Sequence, residues 1–151
     1  MWTFLRRRKA SQPVTLVDDG TFEVVAESFD PASSDVGVLD EAERAGVDLG
    51  RPLILRHFVE VPAASSNLVK QRLAADGYEA HESASDRARA RVQMLQLQAD
   101  RTVSANGLLV AQERTRVAGL VARLGGDVHG WQLLAPRAGD RGRAGYDRDD
   151  R

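Results

Sequence analysis

The sequence predicts an α+β domain, an antiparallel sheet with two helices on one face. Three observations carry that expectation. Apolar residues alternate in several short runs, they recur at helical spacing in two longer ones, and Gly, Pro, Asp and Ser separate the runs. At 151 residues the chain has the length of one domain with room for tails, long enough to bury a real core.

The amino-terminal stretch is read first. Val14–Val17 and Thr21–Val25 flank Asp18-Asp19-Gly20, a pattern for a β-hairpin with Gly20 as the left-handed turn residue. A lone hairpin is marginal in water, so this one must dock on the remainder or stay loose. Phe29–Ser34 has loop chemistry. Residues 35–46 predict a short helix, capped by Asp35, with Val38, Leu39 and Ala42 on one face and Gly46 at its end. Asp48–Pro52 is a turn.

The pattern is most regular from Leu53. Leu53, Leu55, Val59 and Val61 alternate with Ile54, Arg56, Phe58 and Glu60 in a half-buried strand that Pro62 stops. Leu68, Val69 and Leu73 mark a helix over 63–76, closed by Gly77. Tyr78–Ser83 reads as a short strand. Ala84–Arg87 turns the chain into a second strand over 89–98. Ser104 is placed to cap a longer helix in which Val110, Val117, Val121 and Leu124 form one stripe, with Gly125-Gly126 at its end. Val128–Leu134 is the last strand.

The order from residue 53 is thus β-α-β-β-α-β, the ferredoxin-like split arrangement. Its two crossovers place both helices on one sheet face and leave the other face open. The division that follows is a basic leader with a possible hairpin over 1–34, a domain over 35–136 that includes the short-helix extension, and a disordered charged tail over 137–151. That tail has five arginines, four aspartates and one aromatic, too little apolar area to offset ordering.

Charge and composition bound the function. With 21 basic and 22 acidic residues the formal net charge is −1, which gives no global pull toward nucleic acid or an anionic membrane. No cysteine is present, so disulfides, thiolate metal sites and a thiol nucleophile are excluded. Trp2, Phe4 and Leu5 precede Arg6–Lys9, the reverse of a signal peptide, and no apolar run approaches the ~20 residues of a spanning helix. A soluble, cytoplasmic protein with no membrane partner is expected.

Nothing in the sequence has the form of a reaction centre. His57, His81 and His129 lack ligand spacing, and Ser65, Ser66, Ser83, Ser85 and Ser104 stand where caps and turns want them. No catalytic residue, metal, cofactor or small-molecule substrate is expected. His57 alternates with the apolar face of its strand and reads as a core histidine. A cavity bringing His57 or His129 against a carboxylate or a serine would revive an enzymatic reading. Phe58 and Trp131 stand apart, on strands that neighbour each other in this fold. If both face the open side they make an aromatic platform flanked by Arg56, Glu60 and His129, suited to a protein partner or to unpaired bases. The competing reading puts Trp131 in the core against the long helix, and the alternation of its strand does not fix its phase.

Several motifs carry a resemblance. Gly46-Val47-Asp48-Leu49-Gly50-Arg51-Pro52, Arg56-His57-Phe58, Leu73-Ala74-Ala75-Asp76-Gly77-Tyr78-Glu79 and Gly125-Gly126-Asp127-Val128-His129-Gly130-Trp131 occur in that order. Over Asp40–Ala135 the chain resembles the regulator of ribonuclease activity B family, small cytosolic proteins that bind the endoribonuclease ribonuclease E and inhibit its RNA cleavage. The last motif resembles that family's Tyr-Asp-Gly-Trp, with Val128-His129 in place of Tyr-Asp. The resemblance implies a non-enzymatic protein whose partner is a ribonuclease E-type endoribonuclease; the open sheet face, with Arg56, Phe58, His129 and Trp131, is the expected contact region. An RNA-binding module using the same sheet face is the alternative. The mixed tail and near-neutral chain differ from the family's acidic members.

Overall fold

The alternation beginning at Leu53 produces the central strand of a five-stranded sheet. The computed structural model describes residues 14–83 and 93–137. In chain order these form β1 (Phe22–Ser28), α1 (Asp35–Arg44), β2 (Leu53–Pro62), α2 (Ser66–Ala75), β3 (Glu79–Glu82), β4 (Met94–Val103), α3 (Gly107–Arg123) and β5 (Asp127–Pro136). A 3-10 turn, Ala63–Ser65, links β2 to α2. The sheet order is β1-β5-β2-β4-β3, with every neighbouring pair antiparallel. The described residues are therefore α+β, an open antiparallel sheet with three α-helices.

Period-two geometry sorts the central strand cleanly. Leu53, Leu55, His57, Val59 and Val61 point to the helices and are at most 2 % exposed. Ile54, Arg56, Phe58 and Glu60 point the other way. All three helices lie on the first side. Leu39 and Ala42 of α1 and Val110 of α3 meet Leu53, Leu55, Trp131 and Leu133 in one apolar cluster. Val69 and Leu73 of α2, with Val117 and Val121 of α3, meet Val59, Val61, Leu97 and Ala99 in a second. His57 stands on β2 between the two.

The amino-terminal hairpin does not form. β1 is an edge strand on β5, Glu27 opposite Gln132, while residues 14–20 carry no strand. Gly20 does take the left-handed conformation, at φ +90°. Asp18 and Asp19 accept from the amides of Gly20 and Thr21, and these local turns compete with a strand ladder. Leu16 N–H instead donates to Thr102 Oγ1 at 2.8 Å, so the segment lies against the open face beside β4. It reaches the face at the end where Ile54 and Leu134 are 1 % and 4 % exposed.

Other boundaries shift for identifiable reasons. Ser34, not Asp35, is the α1 cap, its hydroxyl accepting from Gly37 N at 3.3 Å. Asp35 lies inside the first turn and is buried. Asn106, not Ser104, caps α3, accepting from Leu109 N at 2.8 Å; Ser104 Oγ donates to the Gly50 carbonyl. β4 runs to Val103 rather than ending at 98, because Asp100 and Arg101, charged yet in the ladder, find partners on opposite faces. The expected turn over 84–87, the start of the 89–98 strand and the tail beyond Arg137 lie outside the described residues. No helix among the described residues is long and apolar enough to cross a membrane.

Candidate functional site: the sheet face away from the helices

Helices cover one side of the sheet, so any surface chemistry specific to the sheet must come from the even-numbered side of β2. Phe58 sits near its middle, opposite Gln98 on β4 and Gly130 on β5. Phe29, just past the end of β1, folds over Gly130 and meets Phe58 with ring centroids 5.3 Å apart and planes tilted by 51°. Phe29 is 47 % exposed. Gly130 makes this possible: a Cβ there would strike the Phe29 ring and lie 2.6 Å from the Ser28 carbonyl oxygen. Tilted ring pairs contribute about 0.5–1.5 kcal/mol beyond their buried area, so an aromatic patch stays on the surface in a defined pose.

Around it the face is polar and mostly acidic. Among the described residues, Asp18, Glu27, Glu60, Glu79, Asp100 and Asp127 stand on or over it, against Arg56 alone among fixed cations. Arg56 is held by two carboxylates. Its Nε and Nη2 donate to the two Asp100 carboxylate oxygens at 2.8 Å each, and Nη2 also donates to Asp18 at 3.1 Å. The hydrogen bonds to Asp100 first, then the charges of Asp100 and Asp18, raise the guanidinium pKa against the opposing effect of burial. Arg56 therefore pins the amino-terminal segment to the sheet and is not free to meet phosphate. Gln132 donates to Glu27 at 2.9 Å across the β1–β5 pair.

His129 lies 2.7 Å from Glu60 through Nε2, with 45 % and 33 % of the two side chains exposed. It also lines a groove of about 420 Å³ with Phe29, Asp30, Asp127 and Arg114. The groove thus holds a histidine in hydrogen-bond contact with a carboxylate, the arrangement under which the sequence would favour an enzymatic reading. Ser28 Oγ, the hydroxyl in that groove, is turned to the Asp30 carbonyl at 3.4 Å. No group of three or more His, Asp or Glu among the described residues is placed to hold a metal ion.

Trp131 is not part of this surface. It pairs with His57, so it points to the helices, is 0 % exposed, and donates its indole N–H to Asp35 Oδ1 at 3.1 Å. Arg114 Nη1 binds the same oxygen at 3.1 Å. Of the two readings left open, the structure shows Trp131 closing the core, and on the open face Phe58 pairs with Phe29 instead. A β-bulge is the reason. Phe58 pairs with Gly130 but Val59 with Val128, leaving His129 as the extra residue on β5. Phe29 was missed because a single aromatic in an Asp-Pro-Ser loop carries no periodic signal; Gly130, directly after a strand histidine, was the one available hint.

Behind the sheet, His57 is 0 % exposed and neither ring nitrogen has a hydrogen-bond partner among the described residues. Its edge meets Tyr78 at 5.6 Å between centroids. Burial foremost, with Arg114 adding to it and Glu113 opposing, lowers its pKa from 6.5 to about 4. Tyr78 donates to Glu113 at 2.6 Å, and Arg101 binds the other Glu113 oxygen at 3.1 Å. Burial and that hydrogen bond raise the Tyr78 pKa far above its usual value. Tyr78, Glu113 and Arg101 thus tie α3 to the sheet, while burial keeps His57 neutral. A half-open apolar cavity of about 490 Å³ at the sheet's other end, lined by Leu16, Val25, Val47 and Leu53 among others, brings no ionisable groups into convergence beyond the Asp48–Arg51 pair and Glu23. Comparison with protein-family models, curated proteins and solved structures returned no match to this chain.

Proposed function

We propose that this chain is a non-enzymatic regulator that docks on a ribonuclease E-type endoribonuclease and lowers its RNA cleavage. The observation that carries the reading is the Phe29–Phe58 pair on the open sheet face, its Phe29 ring 47 % exposed and its Phe58 ring half-buried, on a chain whose motifs resemble a family of such inhibitors. Exposed aromatics set in a polar rim are the usual anchors of protein contacts. We read β2–β5 as the ferredoxin-like split arrangement, with β1 and α1 as an extension, and place the protein in the cytoplasm beside that partner. The motif residues have tasks consistent with this. Gly125, at φ +81°, closes α3, Gly130 seats Phe29, and Trp131 ties β5 to α1. Phe58, His129 and Phe29 form the contact region, Arg56 supporting it from beneath.

Capture of the cognate nuclease on immobilised full-length protein, followed by an RNA-cleavage assay, tests the proposal. Capture with slowed cleavage supports it; no capture at micromolar concentration overturns it. The aromatic pair also favours a second reading, stacking of unpaired RNA bases. The carboxylates around it oppose that reading, since phosphate contacts supply most of the affinity. Fluorescence polarisation with single-stranded RNA at low salt separates the two, and a flat titration dismisses RNA binding.

A further inference from the structure

The sequence as a whole is nearly neutral, but its charge is not evenly spread. The described residues hold seventeen acidic and ten basic side chains, net −7, and the remaining residues hold eleven basic and five acidic ones. Within the described residues the two sides of the sheet differ again. Helices α2 and α3 present Arg72, Arg116 and Arg123 along a groove with Asp76 as its one carboxylate. The sheet face presents six carboxylates, and its one arginine is already held by two of them.

Glu27, Glu60, Glu79 and Asp127 are the accessible members of that set, lying on β1, β2, β3 and β5. With strands ~4.8 Å apart, β1 and β3 are separated by roughly 19 Å across the face. The aromatic pair lies between them, over β5 and β2. Carboxylates on both flanks with ring faces between them form a receptor for cations that also have a flat surface. Guanidinium meets both demands: it takes carboxylate oxygens in bidentate fashion and stacks on a ring, whereas ammonium is a strongly hydrated point charge. In an extended peptide, alternate residues lie ~7 Å apart on one side, so three or four arginines at alternate positions span the face.

We infer that the open sheet face binds an extended, arginine-rich peptide segment, its guanidinium groups seated between the Phe29–Phe58 pair and the Glu27, Glu60, Glu79 and Asp127 carboxylates. The inference rests on the docking reading for the use of this face, and specifies the chemistry of the partner's contacting segment. It predicts binding that weakens with salt, because separated surface charges are screened within a Debye length of ~10 Å at 0.1 M.

The test uses full-length protein and a fluorescein-labelled peptide of four arginines alternating with glycine, beside the same peptide with lysine. At low salt the arginine peptide binds at micromolar to sub-millimolar concentration and the lysine peptide about threefold or more weaker. Phe29→Ala weakens the arginine peptide by about three- to tenfold, and Glu27→Gln, Glu60→Gln and Glu79→Gln each by about two- to fivefold. Glu41→Gln and Glu43→Gln on α1, away from the face, leave it unchanged. Circular dichroism of each variant checks the fold, and the three surface glutamates keep the test open should Phe29→Ala perturb the loop. Absence of binding, equal affinity for the lysine peptide, or equal losses from the α1 variants overturns the inference. Nuclease capture that survives the face substitutions overturns it while leaving the docking reading intact; peptide binding without nuclease capture does the reverse.

Discussion

At the scale of single residues, the buried polar groups on the helix side decide how stability responds to acid. His57 has a folded-state pKa of about 4 against an ordinary 6.5. Above pH 6.5 it is neutral whether the chain is folded or not, and its contribution is fully present. As the pH falls from 6.5 toward 4 the unfolded chain takes up a proton that the folded one refuses, so stability drops, by about 3 kcal/mol at the lower limit. Urea unfolding at pH 7, 5.5 and 4.5 measures this, and His57→Leu should flatten the decline across that window. Asp35 is the second such residue. It accepts from both the Trp131 indole and the Arg114 guanidinium, so Asp35→Ala leaves a buried donor unpaired and should cost about 2–4 kcal/mol in the same assay. A loss below half a kcal/mol would show that the indole finds another acceptor.

At the scale of elements, β5 and the loop before α1 determine what the sheet face offers. Gly130→Ala puts a methyl group into the Ser28 carbonyl and the Phe29 ring. The expected cost is about 1–3 kcal/mol, with a changed near-ultraviolet circular dichroism band as Phe29 leaves Phe58; an unaltered spectrum and melting temperature would refute it. These elements are also where the sequence was least legible. β2 could be read directly because Leu53, Leu55, Val59 and Val61 alternate without interruption. β5 could not, because Val128 and Trp131 share the helix side three positions apart, across the bulge, and the neighbouring Leu133 and Leu134 are both buried. Leu134 lies on the other face, at the end where the Leu16 segment crosses. Two burial surfaces for one strand leave no single period to detect. α1 and α3 were visible in their apolar stripes, but their caps were each displaced because Ser, Asp and Asn all cap well and local spacing does not choose among them.

The whole molecule is a sheet whose neighbours in space are far apart in the chain. Glu27 meets Gln132 and Arg56 meets Asp100, so most pairing waits on long loop closures. Folding should therefore take milliseconds to seconds, the range typical of sheet-rich domains, and not microseconds; stopped-flow refolding followed by Trp131 fluorescence, with Trp2→Phe as background, checks this. The layered α+β plan and the central β-α-β-β-α-β order were legible from residue 53 because the elements there are separated by clear terminators, and β2 and α3 also show their own periods. The charge asymmetry between the two faces was not, since it depends on which side of each strand a carboxylate falls and disappears in a net charge of −1.

The unpaired step at His129 also determines where this strand can change length. Removing that one residue would let Val128 follow Gly130 in an unbroken ladder, with Val128 still under the helices and Trp131 where it was. Adding or removing a residue between Trp131 and Leu134 would turn half the strand over, exposing leucine on one side and burying glutamine on the other. Length variation in β5 is thus tolerable beside the aromatic patch and intolerable in the half that anchors the core.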